Sequence, residues 1–236
     1  MRKHFKHSPI DLGYDDLVAE TTDTGRVYKC PDGSSFNSVT TVLKVLSEDA
    51  IQAWRRRVGP DVANQIGVRA ANRGTAVHSI IERYLDNAVD YDKEVMPDVL
   101  QSFKDVQSIL DERLSEILAL EAPLYSTHLK LAGRVDCVGV FDGKLSIVDF
   151  KTSRKIKKHE WITNYFAQEA AYAIMWEERT GIPITQLVTI IAVDNEQPQV
   201  FIEHRDKWTD LLFKAKAIHE SRQTGLNLGE SNEPRM

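Results

Sequence analysis

Residues 131 to 151, LAGRVDCVGVFDGKLSIVDFK, predict two strands over 131–140 and 145–151 that are joined by a tight turn. The dipeptide Asp142-Gly143 is among the strongest hairpin signals, because a type I′ turn needs positive φ at both central positions. Apolar side chains occur on both faces of these strands, which is typical of central strands that are covered on both sides. The stretch therefore predicts the middle of a sheet that is flanked by helices.

The turn also predicts how the two strands pair. With the Asp-Gly dipeptide as the loop, counting outward along both strands places Asp136 directly opposite Asp149. Opposed side chains have Cβ atoms roughly 4.5 to 5.5 Å apart, so two carboxylates there repel unless a cation compensates them. Lys151 points to the same face because strand side chains alternate. The three residues predict a divalent-metal hydrolase site, and the alternative is a solvated ion-pair cluster that also includes Arg134.

Length and composition are those of an ordinary soluble protein, with 236 residues, 42% of them hydrophobic and 28% charged. The longest apolar runs, such as 187–193, are too short to cross a bilayer, and the basic N-terminus lacks the apolar segment of a secretory signal. We therefore expect a cytoplasmic protein without a membrane partner. The two cysteines, Cys30 and Cys137, cannot form a four-cysteine iron–sulfur cluster.

Basic residues are clustered, although the formal net charge is −5. One group surrounds Trp54 and continues into the next predicted helix. Another group runs from Lys151 to Lys158, where a phosphate backbone would need neutralising, and the alternative for it is a solvated loop. The predicted contacts to nucleic acid come from Arg55, Arg56, Arg57, Arg69, Arg73, Arg154, Lys155 and Lys157.

The rest of the chain predicts helices before and after the hairpin and two later strands. Predicted helices cover 48–58, 60–72, 76–87, 97–113, 160–179 and 206–221, and predicted strands cover 117–125, 187–193 and 199–204. Gly74 is expected to end one helix, and Thr75 is expected to cap the next. This order predicts an α/β fold of the α+β type, with a mixed sheet, flanking helices and a helical N-terminal region.

The predicted organisation has four parts. Residues 1–36 form an N-terminal arm with a small hairpin, and residues 37–116 form a helical region that covers the active site. Residues 117–222 form the core sheet with its flanking helices, and residues 223–236 form a disordered tail.

Several polar residues follow one another in an informative order. The order is Gly74-Thr75-x-x-His78, Gly133-x-x-Asp136, Asp149-x-Lys151 and Gln168-x-x-x-Tyr172. It resembles the RecB-like branch of the PD-(D/E)xK nuclease superfamily, and the resemblance covers roughly residues 36 to 205. The segments 38–43 and 72–75 resemble the subgroup of mitochondrial genome maintenance exonucleases and related exonucleases of tailed phages.

The resemblance implies a restriction-endonuclease-like core with a metal-binding centre. Asp136 and Asp149 would bind the metal together with the backbone carbonyl of Phe150. Lys151 would position or deprotonate the attacking water, either as a base whose pKa a neighbouring cation lowers or as a charged electrostatic clamp. The family's proline before the first acid is Val135 here, which leaves metal binding intact because the acid is the ligand.

The resemblance also implies roles for residues on the helices. His78 would lie near the metal, and the alternative is a structural histidine on an amphipathic helix. Gln168 and Tyr172 share one helix face and would support the site and contact the nucleic acid. Glu82 and Glu121 are candidates for a second metal or an outer shell, and the alternative for each is a surface or salt-bridged glutamate.

Together these observations predict a Mg²⁺-dependent deoxyribonuclease in which Mn²⁺ can substitute, because phosphodiester hydrolysis needs charge neutralisation and an activated water. We expect an exonuclease that acts at free ends of DNA, single-stranded DNA in particular, in DNA replication, recombination or degradation. Replication or recombination proteins are candidate partners. The alternatives are a structure-selective or site-specific endonuclease and a non-catalytic nucleic-acid-binding protein.

Overall fold

The computed structural model describes residues 2–225, and it confirms the predicted hairpin at the centre of the fold. Strand β6 covers Leu131–Phe141 and strand β7 covers Lys144–Ser153. Asp142 and Gly143 between them have φ angles of 50° and 75°, as a type I′ turn requires.

The pairing of β6 with β7 has the predicted register. It runs from the turn to Cys137 and Val148, and Asp136 and Asp149 are the next residues beyond this pair. The Asp136 carboxylate accepts a hydrogen bond of 2.9 Å from the backbone N–H of Phe150. The two aspartates therefore lie on neighbouring strands at the point where backbone pairing ends.

Seven further strands complete a nine-stranded sheet. They are β1 (Lys6–His7), β2 (Val18–Thr22), β3 (Gly25–Lys29), β4 (Ser35–Ser38), β5 (Leu114–Ser126), β8 (Gln186–Val193) and β9 (Gln199–His204). The order across the sheet is β2-β3-β4-β6-β7-β8-β9, and β5 pairs with both β6 and β1. Three pairs are parallel, namely β1 with β5, β4 with β6 and β7 with β8, and this confirms the predicted mixed sheet.

Strand β6 pairs with β5 along the whole length of one edge. The opposite edge of β6 is shared by two strands. There β4 pairs with Leu131 and Ala132, whereas β7 pairs only from Cys137 onward. Residues 133–136 lie between these two partners, so the sheet has a gap beside Asp136.

Helices cover both faces of the sheet. They are α1 (Val39–Leu43), α2 (Glu48–Val58), α3 (Pro60–Leu85), α4 (Pro97–Arg113), α5 (Thr163–Thr180) and α6 (Thr209–Thr224). One core lies between the sheet and α1, α5 and α6, and a second core lies between the sheet and α3 and α4. Ile147 and its neighbour Val148 point into different cores, as alternation along a strand dictates.

One predicted helix boundary is wrong. Helix α3 continues through Gly74 and Thr75, so Gly74 does not end a helix and Thr75 does not cap one. A glycine inside a helix costs about 1 kcal/mol relative to alanine, and packing of the remaining helix offsets such a cost. A Cβ at Gly74 would lie 3.9 Å from Thr152 Oγ1, so α3 passes close to β7 here. His78 is therefore carried by the same continuous helix as Arg69 and Arg73.

The N-terminal segment is part of the sheet and not a separate arm. Strand β1 pairs with β5, and the predicted small hairpin, β3 with β4, is joined to β6 through β4. Phe5, which is 1% exposed, anchors the beginning of the chain in the core that contains α3 and α4. The N-terminal strands thus extend the sheet next to the gap beside Asp136.

The predicted disordered tail lies mostly outside the described residues. Helix α6 ends at Thr224, three residues later than predicted, and residues 226–236 lie beyond the part that the structure describes. Within residues 2–225, no helix combines the length and apolarity needed to cross a membrane.

Candidate active site

Three carboxylates lie in one row across neighbouring strands, at the gap in the sheet. Glu121 lies on β5, Asp136 on β6 and Asp149 on β7. The register of β5 with β6 puts Glu121 opposite Asp136, but this pair is skipped in the ladder and Glu121 has a φ of 45°. Local irregularities of this kind redirect side chains and are common next to active sites. The row therefore collects negative charge from three strands.

His78 approaches this row from α3 and completes a group of metal-ligand type. Its Nδ1 lies 3.5 Å from Asp136 Oδ2, and one ligand atom each of His78, Glu121 and Asp136 lies within 4.8 Å of the others. Opposite ligands of Mg²⁺ are about 4 Å apart, because each metal–oxygen distance is about 2.0–2.1 Å. Two carboxylates and an imidazole at this spacing fit a divalent cation after small side-chain shifts.

Asp149 makes a separate set of contacts. The Lys151 ammonium forms an ion pair with Asp149 Oδ2, and Gln168 Nε2 on α5 donates a hydrogen bond of 3.1 Å to Asp149 Oδ1. Asp149 is 1% exposed, so both contacts are shielded from water. The structure thus brings the predicted lysine and glutamine together on Asp149, while Asp136 joins the histidine and glutamate group.

Burial and repulsion shift the pKa values of these carboxyl groups. Burial, with the charges of Asp136 and Glu82 nearby, raises the pKa of Glu121 to about 7. Burial also raises the pKa of Asp149 to about 6, although Lys151 acts to lower it. Burial alone would raise the pKa of Asp136, but the hydrogen bond to His78, the charges of His78 and Lys151 and the hydrogen bond from the Phe150 backbone together outweigh burial, and the pKa is lowered. Buried carboxylates that repel one another are suited to holding a cation.

The pKa of Lys151 is raised. Burial acts to lower this pKa, but the negative charges of Asp149 and Asp136 outweigh burial. The lowered pKa that was predicted for Lys151 depends on a cation bound beside it, so the two predicted roles, base and electrostatic clamp, both stay predictions.

Tyr172 packs beneath the site. It is 3% exposed, and its side chain fills the space beside Gly133, where a Cβ would lie 2.8 Å from the ring carbon Cε1 and 2.8 Å from the hydroxyl oxygen. Burial leaves the Tyr172 ring little accessible surface, and its predicted contact with nucleic acid stays a prediction. The packing of Tyr172 against Gly133 joins α5, which also carries Gln168, to β6.

Replacing Gly133 by alanine is expected to destabilise the protein by about 1–3 kcal/mol, because the added methyl group overpacks against Tyr172. Gly67→Ala is the matched control, since a Cβ at this helical position meets nothing within 4 Å. That control is expected to stabilise α3 by about 0.5–1 kcal/mol. Thermal unfolding measures both variants, and equal midpoints would contradict the close packing.

Glu169 is a buried residue of the site that the sequence interpretation missed. It is 0% exposed, and its carboxyl accepts a hydrogen bond from Thr189 Oγ1 on β8. Burial raises the pKa of Glu169 well above its usual value, and the charge of Asp149 adds to this. No hydrogen-bond donor among residues 2–225 reaches its Oε2. A glutamate within the apolar stretch FAQEAAYAIMW was the available sequence signal.

A cavity of about 490 Å³ opens over the metal-ligand group. Helix α3 contributes His78 and Glu82 to its lining, and the sheet contributes Glu121, Arg134 and Asp136. Glu82 is exposed and does not belong to the closest metal-ligand group. The cavity opens the carboxylates to the solvent.

The predicted basic residues differ in their exposure and in whether they are paired within the protein. Arg56, Arg57 and Arg69 on α2 and α3 are exposed, as are Arg154 and Lys155 after β7, and Lys157 is half-buried. Arg55 donates a hydrogen bond of 2.8 Å to Asn64 Oδ1. Arg73 forms an ion pair with Asp194 and a hydrogen bond of 2.7 Å to Ser102. The charge of Arg73 is therefore neutralised within the protein, whereas the exposed residues can contact a ligand.

Comparison with known proteins identifies the family. A sequence profile of the PD-(D/E)XK nuclease superfamily matches residues 89–223, which is more than half of the chain. Mitochondrial genome maintenance exonuclease 1 of Mus musculus is 27% identical over 135 residues, 51% of this chain and 39% of that protein. The protein of the same name from Homo sapiens is 28% identical over 134 residues, 51% of this chain and 38% of its own.

The chain thus matches less than two thirds of the length of these relatives. A solved structure of a protein from Eubacterium rectale aligns with 65% of this chain and 68% of that chain, at 16% identity and a TM-score of 0.44. The residues matched by the superfamily profile include the three strands that carry the carboxylates, together with Lys151 and Gln168. The chain belongs to the PD-(D/E)XK nuclease superfamily.

Proposed function

We propose that this protein is a Mg²⁺-dependent DNA exonuclease that hydrolyses phosphodiester bonds from the free ends of single-stranded DNA. The observation that carries the proposal is the group of His78, Glu121 and Asp136 beside the Asp149–Lys151 ion pair. Membership of the nuclease superfamily supports phosphodiester hydrolysis, and the two relatives named as exonucleases support action at strand ends.

The residues that would hold the cation are Asp136, Glu121 and His78, with Asp149 and the backbone carbonyl of Phe150 as further ligands. When bound, Mg²⁺ neutralises charge on the non-bridging phosphate oxygens and activates the attacking water, and Mn²⁺ would substitute because it has similar ligand preferences.

Lys151 would act on the substrate, and Gln168 would act on Asp149. The charged Lys151 ammonium would bind the scissile phosphate and stabilise the negative charge that develops on it. Gln168 holds Asp149 in a fixed orientation through the hydrogen bond to Oδ1. Because Asp149 is almost fully buried, these interactions act in surroundings of low dielectric constant and are stronger than they would be in water.

The DNA strand would run between the two exposed basic groups. Arg56, Arg57 and Arg69 belong to α2 and α3, and α3 also carries His78. Arg154 and Lys155 follow Lys151 directly in the chain. One group is therefore connected to the site through α3, and the other lies directly after the strand that carries Asp149 and Lys151. The proposed activity would serve DNA replication, recombination or degradation in the cytoplasm, together with replication or recombination proteins.

The test is degradation of end-labelled linear single-stranded DNA beside a closed circle of similar length, with Mg²⁺ and with the Asp149→Asn variant as inactive control. We expect the linear strand to disappear while the circle stays intact, because an exonuclease needs an end. Cutting of the circle would identify an endonuclease. Absence of Asp149-dependent cutting of either substrate would refute nuclease activity and leave a binding role.

Replacing Arg55, Arg56 and Arg57 together by alanine is expected to weaken DNA binding and to flatten its dependence on salt. Each phosphate contact on single-stranded DNA contributes about 0.7 to the slope of log affinity against log salt, so the slope should fall by up to about 2. Lys214→Ala, at an exposed position on α6, is the control and should leave the slope unchanged. A triple variant with an unchanged slope would place the strand elsewhere.

A further inference from the structure

An exposed tryptophan lies in the segment that joins β7 to α5. Trp161 is 61% exposed and ends a short 3-10 turn, His159–Trp161. The ammonium of Lys158 lies 5.1 Å from the centre of the Trp161 ring, and the exposed Ile156 is five residues earlier. The Trp161 ring belongs to none of the buried apolar clusters of residues 2–225, so its face is open to a ligand.

The segment is held in place by contacts on both sides of the exposed residues. The backbone N–H of Lys157 donates a hydrogen bond of 2.7 Å to the Gln199 side chain, which donates one of 2.9 Å back to the Lys157 carbonyl. His159 contacts Glu203 at 2.6 Å and packs against Phe166, with ring centroids 4.9 Å apart and ring planes tilted by 37°. The tryptophan is therefore presented by an ordered support, which reduces the entropy lost on binding.

This support is directly connected to the proposed catalytic residues. It begins two residues after Lys151, at the end of β7, and it continues into the helix that carries Gln168. Tyr165, four residues after Trp161, has its ring centre 5.2 Å from the Lys151 ammonium. A strand that occupies the site at Lys151 could therefore extend along this segment toward Trp161.

The charge of residues 154–161 indicates which kind of ligand they would bind. Residues 154–161, RKIKKHEW, contain four lysine or arginine residues and a single glutamate. Phosphates would be attracted to these cations, and a flat aromatic ring stacks on nucleobases only where the bases are unpaired. A duplex hides its base faces, so the combination favours a single strand.

We propose that Trp161, with the Lys158 ammonium beside its ring, is a stacking platform for unpaired bases of a single DNA strand whose phosphate lies at Lys151. The platform rests on the proposed nuclease function and specifies how the strand is held outside the catalytic group. It would favour a strand with unpaired bases over a blunt duplex of the same charge.

The test measures binding of the full chain without cleavage, in an Asp149→Asn background, by fluorescence anisotropy with labelled oligo(dT). Trp161→Ala is expected to weaken binding at least about fivefold, since stacking contributes about 1–3 kcal/mol per base. Trp161→Phe should retain most of the affinity because it keeps an aromatic face. Phe213→Ala, which removes a 46% exposed aromatic ring from α6, is the matched control and should bind like the parent.

Three results would overturn the platform. One is equal binding of oligo(dT) by Trp161→Ala and Phe213→Ala. Another is an equally large loss on a blunt hairpin duplex, because that would indicate a charge or folding effect. The last is a loss confined to oligo(rU) or to vesicles with anionic lipid, which would assign the tryptophan to RNA or to a membrane surface.

Kinetic measurements distinguish a wrong platform proposal from a wrong proposed function. In the chain with Asp149 intact, Trp161→Ala should raise the KM for single-stranded DNA more than it lowers kcat. An unchanged KM in an active enzyme would overturn the platform alone. An inactive parent enzyme would refute the proposed function, whatever the binding experiment shows.

Discussion

Asp149→Asn is expected to lower the rate of DNA hydrolysis by about 1,000-fold. The substitution removes a negative charge from a residue that is 1% exposed and that binds Lys151 and Gln168. An amide cannot compensate a cation, and lost metal or lysine positioning costs several kcal/mol of transition-state stabilisation. Single-turnover degradation of labelled single-stranded DNA measures the loss.

Asp142→Asn is the matched control on the same hairpin. Asp142 lies at the turn, where it pairs with Arg113 and not with the carboxylate row, so its loss should leave the hydrolysis rate within about twofold. Thermal unfolding should show that Asp149→Asn is still folded, because burial makes the ionised Asp149 costly in the native state. Full activity of folded Asp149→Asn would remove Asp149 from the reaction.

Saturating Mg²⁺ is expected to raise the unfolding midpoint by about 5–10 °C at about pH 8 and to have little effect at about pH 5. At about one hundred times its dissociation constant a ligand adds about 2.7 kcal/mol, and each kcal/mol shifts the midpoint by about 2–4 °C in a chain of this size. The pKa of Glu121 is raised to about 7 and that of Asp149 to about 6, so both bind protons at the lower pH.

Without metal, the direction in which the free energy of unfolding changes with pH follows from the raised pKa values of the same two carboxyl groups. A carboxyl group whose pKa is higher in the folded than in the unfolded chain destabilises the fold as it ionises. For Glu121 this occurs between its ordinary pKa of 4.5 and about 7, so without metal the free energy of unfolding should fall as pH rises through this window. A cation restores that stability above the window, where the carboxylate is charged.

Glu121→Gln should remove most of the Mg²⁺ response and flatten the metal-free pH dependence. Glu116→Gln on the same strand is the control, because Glu116 pairs with Lys6 and is not part of the metal-ligand group. Differential scanning calorimetry with and without Mg²⁺ at both pH values measures the response. An equal midpoint shift in Glu121→Gln, or an equal shift at both pH values, would contradict metal binding at this group.

The hairpin of β6 and β7 could be predicted from the sequence because its determinants are local. An Asp-Gly turn sets the pairing of the two strands that it joins, so the positions of Asp136 and Asp149 followed from counting residues. The helix boundary at Gly74 was wrong for the opposite reason. Continuation of α3 depends on packing against the sheet, which outweighs the small intrinsic preference of one glycine.

The composition of the site could be predicted only in part. Asp149, Lys151 and Gln168 belong to short sequence patterns, and the structure brings them into contact. Glu121, which was a predicted candidate, and Glu169, which was not predicted, belong to no such pattern. One joins the metal-ligand group through a skipped strand pair, and the other is buried by the packing of α5 on β8.

By itself the sequence determined the hairpin, its register and the order of the motif residues, because turn chemistry and strand alternation act between near neighbours. Only the tertiary structure decided that His78 and Glu121 meet Asp136, that Lys151 pairs with a buried carboxylate and that Trp161 remains exposed. These properties depend on side-chain burial and on distances between elements that are far apart in the chain. Local conformational preferences therefore do not predict them.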